Sequence, residues 1–245
     1  MDTFLQLWCS ILDALDQADK SLLLSINGCH NGFFDTFMFW VSDKWVWVPM
    51  YVSLLYIIVK NKRSEAVFII LGIVLTVLFC DQFSSSLCKP LFHRFRPSQD
   101  PQIGHLVHVV CGFKCDLYGF VSSHAANTMG VALYLALLFR NHTFSCSIFL
   151  WALINCYSRM YLGVHYFGDV LFGSVVGLFF GWFCFWLSYR VLLSRVMPQF
   201  RYTQHYNNSR SNVGFSTADI MPYLWTLVST LFIIAVFSTK NTFFC

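Results

Sequence analysis

The chain reads as an all-α, polytopic membrane protein: six transmembrane helices in one bundle, preceded by amphipathic helices on the membrane surface. Three observations lead there. Of 245 residues, 57% are hydrophobic and 11% are charged, against the roughly 25% charged residues of soluble domains. Mean hydropathy is +0.58. The apolar residues fall in runs of about membrane length joined by polar or basic stretches, and no hydrophilic block is long enough for a second globular unit.

Residues 1–44 are expected to hold the surface helices. The N-terminus lacks the basic start and small-residue cleavage site of a secretory signal peptide, so the mature chain is expected to begin at Met1. From Leu5 to Ala18 apolar residues interleave with Asp13 and Asp16, with Asp19 just beyond, the pattern of a helix lying on a surface. A turn cluster, Asn27 to Gly32, precedes a short aromatic helix from Phe33 to Val41, too short to cross. The six spans occupy 45–238, followed by a tail at 239–245. The first runs from Trp45 to Val59, with tryptophans at its start as interface anchors. The second runs from Glu65 to Cys88 and ends in polar residues. A turn-rich loop extends from Lys89 to Val121. The third span covers Ser123 to Phe139, the fourth Phe144 to Leu162, the fifth Phe167 to Tyr189 and the sixth Ile220 to Phe237, with a polar segment from Arg190 to Ala218 before the last.

Charge sets the orientation. Lys60, Lys62, Arg63, Arg140, Arg190, Arg195, Arg201 and Arg210 fall in loops on one side, which the positive-inside rule makes cytoplasmic. Lys89, Arg94, Arg96 and Lys114 lie on the opposite side against that rule, and a ligand would account for them. Three polar clusters then meet at the outer face: Lys89 to Arg96, Ser122-Ser123-His124, and Ser158-Arg159 with His165 and Asp169. Ionisable groups at a membrane edge are costly unless paired or used.

His165 and Asp169 are one helical turn apart, so the carboxylate can reach one imidazole nitrogen and leave the other free as base or nucleophile. The cations and hydroxyls suit a tetrahedral phosphate, and the helix starts near His124 and Asp169 would aim N–H groups at it. A carboxylate-rich divalent-cation set is not in evidence. In this reading His165 attacks phosphorus, His124 protonates the departing oxygen, and water then hydrolyses the phosphohistidine with His124 as base.

Lys89 to Pro97 reads K-x6-R-P, and Ser158 to Asp169 reads S-R-x5-H-x3-D. With these motifs the chain resembles the type 2 phosphatidic acid phosphatase (PAP2) superfamily over about residues 65–190. The family's second motif, P-S-G-H, stands here as Val121-Ser122-Ser123-His124, lacking its proline and glycine. Ser123 in place of that glycine narrows the expected pocket. The resemblance implies a PAP2-like helical bundle in which His165 is the nucleophile, Asp169 orients it and His124 is the acid. Lys89, Arg96 and Arg159 would clamp phosphate with Ser122, Ser123 and Ser158. It implies no metal and no cofactor.

The remaining readings are plainer. His105, His108, Cys111 and Cys115 fit no tight zinc spacing. His30, His93, His142 and His205 read as ordinary interface histidines, and Arg94 as a contact to a substrate headgroup or to lipid phosphates. Cys111 and Cys115 could close a disulfide if their loop faces an oxidising compartment. The expected partners are a phosphorylated membrane lipid and the bilayer, with no nucleic acid and no obligate protein partner evident. The expected setting is a bacterial inner membrane with the site facing the periplasm. Lipid A phosphates and undecaprenyl pyrophosphate are the favoured substrates, ahead of phosphatidylglycerophosphate and phosphatidic acid. Lipid phosphotransfer and non-catalytic lipid binding or transport are the alternatives.

Overall fold

The computed structural model describes residues 2–112, 116–196 and 215–240. Among these the elements are helices α1 (Asp2–Asn27), α2 (Gly32–Ser42), α3 (Val48–Asn61), α4 (Ala66–Gln82), α5 (Lys89–Phe92), α6 (Ser123–Phe139), α7 (His142–Tyr161), α8 (Phe167–Phe185), α9 (Leu193–Val196) and α10 (Thr217–Lys240). No strand occurs among the described residues beyond an isolated bridge between Phe95 and Tyr118. Wide π-helical turns at Phe83–Cys88 and Trp186–Leu192 carry α4 into α5 and α8 into α9. Cys115, Lys114 and most of the polar segment before α10 lie outside the described residues, and so does the Cys111–Cys115 pairing.

Each expected span coincides with a helix, and three of those helices are long and apolar enough to cross a membrane: Ala66–Phe92, Phe167–Leu192 and Thr217–Lys240. Val48–Asn61 and Ser123–Phe139 are apolar but shorter. At about 1.5 Å per residue they reach roughly 21 and 26 Å, short of the ~30 Å hydrocarbon core. Helix α7 is long enough but carries Asn155, Ser158 and Arg159, all buried toward the bundle interior. The protein is thus a multi-pass helical membrane protein.

Helix starts are fixed by local chemistry. Asn31, Ser122 and Asn141 cap α2, α6 and α7 by accepting from the backbone N–H three residues on, which satisfies donors that a first turn leaves without intrahelical partners. Pro49 stands in the first turn of α3, where no donor is lost.

Helix α6 lies against α8 because α8 presents Gly173, Gly177 and Gly181, each four residues apart. A Cβ at these positions would strike the carbonyl oxygens of Ser122, Ala126 and Gly130 respectively. Small residues at this spacing let membrane helices approach backbone to backbone. This seam brings the N-terminus of α6, with His124, beside the N-terminus of α8, with Asp169, and the Ser122 N–H donates to the Asp169 carbonyl at 3.0 Å.

The largest core cluster fills the bundle between α3, α4, α6, α7, α8 and α10, around Trp47, Tyr134, Phe139, Phe144 and Tyr223. Trp47, expected at an interface, is only 1% exposed and donates its indole N–H to Val41 O, whereas Trp45 is 71% exposed. Two smaller clusters cement the N-terminal helices to the end of the bundle that carries the α7–α8 connection. Leu23 of α1 packs with Ile103, Val107, Tyr166 and Val170, and Met38 of α2 packs with Val110, Tyr161, Leu162 and Val164. Helix α1 is longer than its sequence pattern suggests. Its first half exposes Phe4, Leu5, Trp8, Leu12 and Leu15, while its second half docks.

Candidate active site

The α7–α8 connection builds the centre of the site. Helix α7 ends at Tyr161, and Gly163 at φ +68° reverses the chain, a left-handed conformation that glycine adopts without Cβ strain. The Arg159 carbonyl then accepts from both Val164 N–H (3.1 Å) and His165 N–H (3.3 Å). The five-residue spacing between Arg159 and His165 therefore folds the histidine back over the end of α7. Asp169 enters from the first turn of α8 and accepts from Tyr166 N–H at 3.1 Å, which pins the helix start.

His165 is 3% exposed and Asp169 is fully buried, with Nδ1 of the imidazole 3.5 Å from Asp169 Oδ2. Its other nitrogen, Nε2, lies 3.2 Å from Arg96 NH1. A guanidinium can only donate, so Nε2 accepts there and the ring proton sits on Nδ1, on the side of the carboxylate but without a hydrogen bond to it. This is the tautomer a nucleophilic Nε2 requires. Burial, with Arg96, Arg159 and Lys89 nearby, pushes His165 well below the usual imidazole value, so the ring is neutral and its lone pair is available.

The cations arrive from three directions. Arg96 is nearly buried and is held by donation to Tyr118 O (3.2 Å) and Val164 O (3.4 Å). The short ladder that fixes it pairs Arg96 N–H with Leu117 O and Gly119 N–H with Arg94 O. Lys89, at the start of α5, lies 3.4 Å from Ser85 Oγ. Arg159, in the last turn of α7, donates to the Ser42 hydroxyl at the end of α2.

His124 stands in the first turn of α6, hydrogen-bonded to the Ser42 backbone and with Arg159, Lys44 and the imidazole of His165 among its neighbours. The expected serines have separate tasks. Ser122 caps α6, its hydroxyl accepting from Ala125 N–H at 3.4 Å. Ser123 Oγ lies 3.2 Å from Ser85 Oγ. Ser158 donates to Asn155 O at 2.7 Å within its own helix. With Ser122 as the cap, the backbone N–H groups of Ser123 and His124 begin α6, the arrangement that receives an anion.

Sequence reasoning missed or misassigned several neighbours. Arg94 is no lipid contact: NH1 donates to Asp169 Oδ1 at 2.8 Å, while NH2 reaches Asp19 at 2.9 Å and Asp16 at 3.1 Å. Its guanidinium also lies over the Tyr166 ring, 4.3 Å from the centroid. Burial opposes the Arg94 charge, yet Asp169 and Asp19 outweigh it and hold the group protonated above its ordinary value. Asp19 additionally accepts from Gly168 N–H at 3.1 Å, and Lys20 bridges Asp16 (2.7 Å) to Asp100 (3.6 Å). Helix α1 thereby backs the aspartate that faces His165. Gly119 was missed as well: a Cβ there would stand 3.2 Å from Asp169 Oδ2 and 3.4 Å from His165 Nδ1. The two arginines flanking Phe95 carried a signal for Arg94, since alternation in a short extended segment sends both the same way.

A profile of the PAP2 superfamily matches residues 52–193, more than half of the chain. The chain belongs to the PAP2 superfamily. The lipid A 4′-phosphatase of Bacteroides thetaiotaomicron is 42% identical over 183 residues, covering 74% of this chain and 81% of that protein. The lipid A 4′-phosphatase of Porphyromonas gingivalis is 38% identical over 170 residues, 69% of this chain and 72% of that one. In fold, a transmembrane PAP2-type phosphatidylglycerolphosphate phosphatase from Bacillus subtilis overlays with a TM-score of 0.56 at 18% identity, over 73% of this chain and 88% of that structure. The PAP2 chain described here is accordingly a hydrolase, a phosphatase that acts on a membrane lipid phosphate. The matched region runs from α3 to α9 and contains all three motifs, whereas α1 and α2, which complete the surroundings of Asp169 and Arg159, lie before it.

Proposed function

We propose that this PAP2 phosphatase removes a phosphate monoester from lipid A at the outer face of a bacterial inner membrane, through a phosphohistidine on His165. The observation that carries this reading is the buried imidazole between Asp169 and Arg96, with Nδ1 3.5 Å from the carboxylate and Nε2 3.2 Å from the Arg96 guanidinium. The lipid A 4′-phosphatase of Bacteroides thetaiotaomicron, with 81% of its length covered, supports the substrate.

Phosphate oxygens take the N–H groups of Arg96, Arg159 and Lys89 and the start of α6, which releases Nε2 from Arg96 toward phosphorus. His165 attacks in line, the P–O bond to the sugar breaks, and His124 gives the leaving alkoxide its proton. The proton on Nδ1 is shared with Asp169 as charge builds on the ring. Water, deprotonated by His124, then cleaves the P–N bond and restores the free imidazole. We take the six helices α3, α4, α6, α7, α8 and α10 as the crossings, with α1 and α2 on the periplasmic surface.

The test is phosphate release by the detergent-purified protein from lipid A, undecaprenyl pyrophosphate, phosphatidylglycerophosphate and phosphatidic acid, with products weighed by mass spectrometry. Loss of one phosphate from lipid A, abolished in His165→Ala, is the expected result. Faster release from another lipid would replace the substrate, and equal release by the variant would remove the histidine mechanism.

A further inference from the structure

Among the described residues, a cluster of ligating side chains outside the phosphate pocket is not used by the reaction. His30 lies in the turn between α1 and α2, Asp35 in the first turn of α2, and His108 in the loop between α5 and α6. One ligand atom from each lies within 4.8 Å of the others. His108 Nε2 is 3.0 Å from Asp35 Oδ2, and the His30 ring stacks on His108 with centroids 3.9 Å apart.

A second layer of hydrogen bonds fixes two of the three. Tyr161 OH donates to Asp35 Oδ1 at 2.7 Å, which leaves Oδ2 to face the imidazoles. Asn27 grips the His108 backbone at both ends, accepting from its N–H at 2.7 Å and donating to its carbonyl at 2.9 Å. The same Asn27 amide donates to Tyr161 O at 2.7 Å. Partners of this kind orient metal ligands and raise their affinity.

We propose that His30, Asp35 and His108 bind one divalent transition-metal ion, of which Zn²⁺ is the best chemical fit. Atoms within 4.8 Å of one another have a common centre no more than about 2.8 Å from each, so they must close by under ~1 Å to reach zinc–ligand distances of roughly 2.0–2.2 Å. His30, exposed on its turn, supplies that movement by swinging off the His108 face. Two imidazoles and one carboxylate leave a fourth tetrahedral position for water. One carboxylate is too few for calcium or magnesium, which want oxygen ligands, whereas imidazole favours zinc and its neighbours.

The ion acts as a clip. Its ligands come from the α1–α2 turn, from α2 and from the loop over the site, and Tyr161 behind Asp35 ends α7 four residues before His165. Metal binding would add its free energy to the folding of this outer layer without touching the reacting phosphorus.

The test uses the full-length protein in detergent, stripped with chelator and dialysed. It is titrated with ZnCl₂ by calorimetry and with CoCl₂ by visible d–d absorption, and melted with and without ZnCl₂. The expected result is one ion per chain, a tetrahedral Co²⁺ spectrum and a higher melting temperature with zinc. His30→Ala, a surface change, should weaken binding by at least about 10²-fold, and Tyr161→Phe by roughly tenfold. His165→Ala should bind as the unaltered protein does, so failure of the phosphatase reading and failure of the metal site are read separately. Absence of saturable binding overturns the proposal, as does full-strength binding in both His30→Ala and His108→Ala.

Discussion

Two histidine–carboxylate pairs stand near the end of α7, and they differ in almost everything but their chemistry. His165 and Asp169 are neighbours on one helical turn, 3.5 Å apart, with side chains 3% and 0% exposed. His108 and Asp35 come from distant parts of the chain, lie 3.0 Å apart and are 33% and 19% exposed. The first pair is enclosed by Arg94, Arg96, Arg159 and Lys89. The second meets another imidazole and a tyrosine hydroxyl. A ring surrounded by cations stays neutral and faces an anion, which suits attack on phosphate. A ring among neutral donors and one carboxylate suits a cation instead. The two pairs thus share one chemistry and differ in the charge of their surroundings.

Removing each member of the buried pair tests that contrast most strongly. His165→Ala should lower turnover by about 10⁴-fold or more, since the covalent step is lost. Asp169→Asn, which keeps the shape and removes the charge that holds the tautomer, should cost about 10³- to 10⁴-fold in kcat. Initial rates on a soluble phosphate ester and on lipid separate these from binding defects.

Arg94 sharpens the comparison next. It touches Asp169 and not the phosphate pocket's open nitrogen, so Arg94→Ala should lower kcat by roughly 10²-fold through misplacement of Asp169 and His165, with KM little changed and Arg94→Lys restoring part of the loss. The double change Asp16→Asn, Asp19→Asn should act in the same direction and more weakly.

The pH profile reports the cation enclosure directly. Attack requires neutral His165, and its pKa is held down by burial and by Arg96, Arg159 and Lys89. The neutral form therefore persists as pH falls through the ordinary histidine range, and the acid limb of kcat/KM should lie below pH 6.5, the ordinary value. Arg96→Gln removes one of the charges and should move that limb upward. The smallest effect belongs to the second pair: His108→Ala should change kcat by no more than about threefold well below the melting temperature, because a half-buried pair away from the reacting atoms contributes little to the chemical step.

Much of this was legible beforehand, and the reason is local. Every expected span coincides with a helix because apolar run length and polar joints are properties of neighbouring residues. His165 and Asp169 were singled out through their i,i+4 spacing, and Lys89, Arg96, His124 and Arg159 through motifs that are short in sequence; the structure places His165 between Asp169 and Arg96. Arg94 was misjudged since its partners, Asp16 and Asp19, are 78 and 75 residues away. Ser42 and Lys44 were overlooked because nothing near them in the chain refers to Arg159 or His124. His30 looked ordinary for the same reason, its neighbours in space being Asp35 and the distant His108.

The sequence by itself determined a helical membrane protein, the polar clusters that gather at the helix ends, and the types of residue available for phosphate chemistry. These follow from periodicity, hydropathy and the cost of charge in lipid. Only the tertiary structure decided that α1 backs Asp169, that glycines on α8 draw the start of α6 to it, and which histidine nitrogen faces Arg96. Those depend on contacts between segments far apart in the chain, and a pairing of that kind has no periodicity to betray it until the backbone has closed around it.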